Sequence, residues 1–105
     1  MKRVYTIVPF DDQKLFYSTD IIEFDFFDIH KSDDERKKLI NEADVVYFCG
    51  EEFHPSVRKD MKHCVDVNKP LYINLIQMII DLGNDDEKVR GLLVQKIKKE
   101  LRNKE

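Results

Sequence analysis

The sequence predicts an α/β fold: a small parallel sheet of about four strands in the order 2-1-3-4, with helices packed on it in three layers. Three observations carry this. Residues 4–8 (VYTIV) and 45–49 (VVYFC) are wholly apolar or β-branched, the pattern of strands buried on both faces of a parallel sheet. Residues 43–74 read as strand, loop, helix and strand, one complete βαβ unit. A right-handed crossover of that kind places the loop after the first strand at the C-terminal edge of the sheet, where open α/β sheets hold ligands. At 105 residues, the chain reads as one domain, 1–105.

Taken in order, residues 4–8 form a central strand ended by Pro9. Residues 10–20 are polar around Leu15, Phe16 and Tyr17 and hold one or two helical turns. That length is close to the lower limit of a dozen or so residues for a parallel crossover. Residues 22–29 alternate at first, with Ile22, Phe24 and Phe26 on one side and Glu23 and Asp25 on the other. This is an edge strand with one wet face, its acids discouraging pairing with another chain; a hairpin with the first strand is the alternative. Residues 32–42 form a helix. Ser32 caps it, Glu35 completes a capping box, and Asp33 and Asp34 suit the positive end of its dipole. Leu39, Ile40 and Ala43 face the sheet.

After the strand at 45–49, His54-Pro55-Ser56 opens a second helix, since proline suits the first turn. Its apolar stripe is Val57, Met61, Cys64 and Val65, with Asp60 at the border, pointing towards the sheet edge. Lys69-Pro70 stops it, and residues 71–73 make the fourth strand. Residues 75–82 are apolar on all sides, as a short helix or a further strand, with part of them in a subunit interface. Gly83-Asn84 is a turn, and residues 85–102 form an amphipathic helix with Val89, Leu92, Leu93, Ile97 and Leu101 inward.

Composition excludes some functions. With 21 acidic and 18 basic residues, net charge −3, the chain lacks the basic field of a general nucleic-acid or membrane-surface binder. No signal peptide and no bilayer-length apolar run is present, and Cys49 and Cys64 form no CxxC pair. Both thiols fall at core positions, so a cytoplasmic protein is expected. The three glycines, Gly50, Gly83 and Gly91, are far apart, so neither a dinucleotide fingerprint nor a phosphate loop exists, and no cofactor is expected. Cys49, His54, His63, Cys64 and the pair Glu51-Glu52 show no zinc spacing, so no metal is expected. His63 and Cys64 are adjacent on a helix and point about 100° apart, which rules against a nucleophile pair. The carboxylates near the sheet edge are the serious candidates: Glu51, Glu52 and Asp60, with Asp11 and Asp12 after the first strand. Against them stands plain dipole compensation by Asp60. Tyr5, Phe10 and Phe53 are placed to flank a planar ring, or to fill the core.

Residues 3–10 and 33–74 together resemble the nucleoside 2-deoxyribosyltransferase-like family. VYTIVPF is similar to the family's opening strand, INEADVVYFCG to the helix end and strand that follow, and DMKHCVDVNKP to a helix closed ten residues later by proline. The resemblance implies a flavodoxin-like, Rossmann-like sheet, a homodimer or higher oligomer, and chemistry at the N-glycosidic bond of deoxynucleosides. It puts Asp60 in the place of the family's nucleophilic Glu and His54 in that of its Asp. Pro55, Ser56 and Val57 replace the Ser-Gly-Thr between them. Aspartate is one methylene shorter, and a misplacement of about 1 Å costs on the order of 10²-fold in rate.

Two readings follow. In the first, the protein acts on nucleosides or nucleotides. Asp60 is nucleophile or stabiliser of the anomeric carbon, while His54 and Glu51 or Glu52 handle protons or ribose hydroxyls. In the second, it is a non-catalytic nucleotide-binding or protein-interaction module on the same scaffold. Both place the ligand beside Tyr5, Pro9, Phe10, Gly50, Glu51, Glu52 and Ser56.

Overall fold

The computed structural model describes residues 2–18 and 22–83. The helix expected over residues 85–102 and the residue Asn84 lie outside them. Among the described residues, four strands form one sheet in the order β2-β1-β3-β4, all pairs parallel. They are β1 (Lys2–Ile7), β2 (Ile22–Phe26), β3 (Val45–Phe48) and β4 (Leu71–Tyr72). The expected order holds, and the parallel pairing of Lys2 with Ile22 through Thr6 with Phe26 removes the hairpin alternative.

The alternation of each strand divides the core in two. On one face Val4, Val8, Ile22, Phe24, Val45 and Tyr47 pack with Phe16, Met78 and Ile79. Phe16 follows a 3-10 helix over Phe10–Leu15, the helical turns expected there, and meets Phe24 edge-on at 5.5 Å between ring centroids. Met78 and Ile79 belong to α3 (Leu75–Gly83), so the all-apolar segment is a helix, and Gly83 is part of it. Asn74 starts α3 by accepting the Gln77 N–H on its side chain at 3.1 Å. On the opposite face Tyr5, Ile7 and Val46 pack under α1 (Asp33–Glu42) and α2 (Pro55–Asp66) through Ile40, Ala43, Val57 and Cys64.

Element ends depart from expectation for local reasons. β2 stops at Phe26 because Asp28 turns the chain, its carboxylate accepting the His30 N–H at 2.8 Å and its carbonyl the Lys31 N–H at 3.2 Å. β3 stops at Phe48, and Cys49 is half-buried rather than core. β4 stops at Tyr72, leaving Ile73 62% exposed. Ser32 caps α1 as expected, accepting the Glu35 N–H at 3.2 Å. Val65 is not on the inner stripe of α2; it is 73% exposed, and Asp60 takes the inner position beside Met61. The reason is geometric: 57, 60, 61 and 64 share one helical face, whereas 65 lies 100° past 64.

Candidate functional site

A cleft of about 740 Å³ opens at the C-terminal edge of the sheet. Its floor is Val8 and Pro9 as the chain leaves β1, and Phe10 stands at its edge, 84% exposed. One wall is the end of β2 and the turn after it, residues 24–31. The other is Phe53 and His54, in the loop from β3 to α2. The volume lies within the roughly 300–1,000 Å³ range of small-molecule sites. The cleft also sits beside the point where the strand order reverses, between β1 and β3.

The two walls touch at their base. The Phe27 ring meets Phe53 edge-on at 5.5 Å and His54 at 6.0 Å. His54 is the N-cap of α2, its Nδ1 accepting the Ser56 N–H at 3.1 Å, and Pro55 fills the first turn. Accepting at Nδ1 leaves the ring proton on Nε2, so the cap gives His54 a hydrogen-bond donor on its outer edge. Gln13 braces the β2 wall by donating to the Phe27 carbonyl at 3.1 Å.

Of the expected site residues, the structure brings Pro9, Phe10 and His54 to the cleft. Phe53, also singled out as a ring-flanking aromatic, stands with them. Gly50 leaves β3 at φ +87°, a conformation that favours glycine, and with Glu51 it lies on the exposed loop beyond the lining. Glu52 is held by Arg58 in an exposed ion pair whose hydrogen bond raises the guanidinium pKa. Glu52 and Arg58 line a smaller surface recess with Pro55. Ser56 contributes its backbone N–H to the His54 cap. Tyr5 is fully buried on the helix-covered face, behind the cleft rather than beside it.

Asp60 is 2% exposed and does not line the cleft. One carboxylate oxygen accepts from Arg36 Nε at 2.9 Å and the other from the Tyr5 hydroxyl at 2.8 Å. Arg36, also 2% exposed, further donates to the Lys31 carbonyl at 2.7 Å and to Asp33, and its guanidinium carbon lies 5.7 Å from the centre of the Phe27 ring. Lys59 reaches Asp33 at 3.1 Å. Burial works against the charged guanidinium of Arg36, but the bonds from Asp60 and Asp33 outweigh it and leave its pKa raised. Burial first, then the Asp60 charge and hydrogen bond, push the Tyr5 phenol far above its ordinary value. The hydrogen bond from Arg36, then that from Lys59, holds Asp33 below the usual carboxylate range.

This network was not expected from the residues one by one, yet its signal is present. Arg36 sits three and four residues before Leu39 and Ile40 on the inner stripe of α1, and Asp60 sits on that of α2. Opposite charges on two facing inner stripes mark a buried ion pair. Among the described residues no group of three or more His, Cys, Asp or Glu is placed to hold a metal ion, and no helix is long and apolar enough to cross a membrane. No protein-family model, curated protein or solved structure matches the chain.

Proposed function

We propose that the protein binds a nucleoside or nucleotide in the cleft at the C-terminal edge of the sheet, as a non-catalytic module. The cleft itself carries the reading: two aromatic rings, Phe10 and Phe53, border a volume suited to a planar base. The His54 Nε2–H supplies a donor for a base or ribose oxygen, and Lys31 a cation for a phosphate at the rim. The resemblance to nucleoside 2-deoxyribosyltransferase-like proteins points to the same ligand class. Glycosidic chemistry has less support. An attacking Asp60 would have to leave both Arg36 and Tyr5, and breaking a buried pair costs about 3–5 kcal/mol.

Titration with a panel of nucleosides and their 5′-monophosphates, followed by amide NMR shifts, tests this. Shifts should cluster at residues 8–13, 26–31 and 53–54. Phe53→Ala should weaken binding at least fivefold, since stacking on an aromatic ring is worth about 1–3 kcal/mol. His54→Asp keeps an N-cap but loses the donor, and should weaken binding with little change in Tm. Shifts confined to other surfaces would end the proposal. Base release from deoxynucleosides that disappears in Asp60→Ala would replace it with the enzymatic reading.

A homodimer belongs to the same proposal. Ile76 and Ile80 on α3 are 44% and 45% exposed, in the segment assigned to an interface. Sedimentation of the full chain over a range of concentrations tests it. Cytoplasmic residence is proposed with it, on the thiol state of Cys49 and Cys64.

A further inference from the structure

We propose that the buried Arg36–Asp60 pair sets the opening between the two walls of the cleft, which makes both of them positioning residues for its ligand. The inference rests on the cleft being the binding site, but its central claim concerns the walls and can be tested without a ligand. Arg36 holds the first wall from behind. It donates to the Lys31 carbonyl at 2.7 Å and packs over Phe27, so its position fixes both ends of residues 27–31. Asp60 belongs to α2, whose N-cap is His54 and whose preceding residue is Phe53, the second wall. The 2.9 Å bond between them therefore joins the walls across the back of the cleft, while Phe27 against Phe53 and His54 joins them at the base.

Energetics favour a positioning role over a stabilising one. A buried ion pair gains little net stability over apolar side chains of the same size, because desolvation offsets attraction. It does impose direction. The planar guanidinium distributes its donors among Asp60, Asp33 and the Lys31 carbonyl in a fixed fork, which a lysine cannot reproduce. The Tyr5 hydroxyl donates to the other oxygen of Asp60, and Tyr5→Phe removes that bond while keeping the ring, so it separates holding the carboxylate from holding the cleft.

The test is the amide NMR spectrum of the full chain as wild type, Arg36→Lys, Asp60→Asn and Tyr5→Phe, each followed by titration with the nucleoside panel. In Arg36→Lys and Asp60→Asn, the amides of residues 28–31 and 53–54 should shift together, and affinity should fall at least tenfold. Tyr5→Phe should lower Tm and leave both wall signals and affinity near wild type. Wall signals that stay in place in the first two variants, or move equally in Tyr5→Phe, overturn the inference. Outright unfolding of both Arg36→Lys and Asp60→Asn overturns it as well, since the pair would then hold the whole fold. If the wall signals move as expected but wild type binds no nucleoside, the proposed ligand fails and the assignment of the pair stands.

Discussion

Cys64 lies one turn beyond Asp60 on the inner stripe of α2, 1% exposed. Burial, then the Asp60 charge, pushes its thiol up to about 11 from an ordinary 9.0. A raised thiol pKa favours the fold while the thiol is neutral. Its contribution is complete below about pH 9 and is lost as pH rises through 11. Reactivity follows the same sign, because the thiolate is the nucleophile. At pH 8 iodoacetamide should label Cys49, half-buried at the end of β3, well before Cys64. Mass spectrometry of Cys49→Ser and Cys64→Ser chains reads the two rates; equal rates would mean α2 opens freely. The same stripe shows the limit of sequence reading at this scale. Val57, Met61 and Cys64 are legible by hydrophobicity, but Asp60 reads as a border residue because its partner Arg36 is remote in sequence. Hydropathy assigns no inner position to a charge, and burial of Tyr5 hides that its hydroxyl has somewhere to go.

α2 shows how an element is bounded by its two caps. His54 and Pro55 open it, and Asn68 closes it at φ +55°. The Lys69 N–H bonds the Cys64 carbonyl at 2.8 Å and the Asn68 N–H the Val65 carbonyl at 3.0 Å, the paired bonds of a Schellman motif. Lys69 then turns its ammonium to the carbonyls of Asn41 and Ala43, at 3.2 and 2.7 Å, closing the C-terminal end of α1. Helix start and strand start were both legible here, whereas the stop was assigned to Lys69-Pro70 when Asn68 makes the turn. Asparagine tolerates the left-handed region but glycine does so without strain, and alanine pays about 1–2 kcal/mol there. Asn68→Gly should therefore hold or slightly raise stability, and Asn68→Ala should lower it by about 1 kcal/mol in urea unfolding. The opposite order would mean that the Asn68 side chain, not its backbone, terminates the helix.

Across the whole molecule, the sheet order was legible because apolar runs buried on both faces can sit only inside a covered parallel sheet, and β1 and β3 are such runs. The alternating run of β2 belongs at an edge, and the βαβ unit sets β4 beside β3. The cleft was legible only as a location. Its lining comes from turns after β1 and β2 and from side chains that local patterns do not aim. The same topology orders local stability. β1 is paired on both sides and buried from Val4 onward, while β4 is two half-buried residues paired, among the described residues, with β3 alone. Amides open in proportion to such cover. In native-state hydrogen exchange, the amides of β1 should therefore be the slowest of the sheet, and Tyr72 should exchange at least tenfold faster, a gap of about 1.4 kcal/mol. Repeating the measurement at high and low protein concentration adds a second reading. A homodimer built on α3 covers the neighbourhood of β4, so Tyr72 should slow as concentration rises while β1 stays constant. If Tyr72 matches β1 at every concentration, the edge is covered within the chain itself, and the exposed Ile76 and Ile80 lose their claim to a subunit interface.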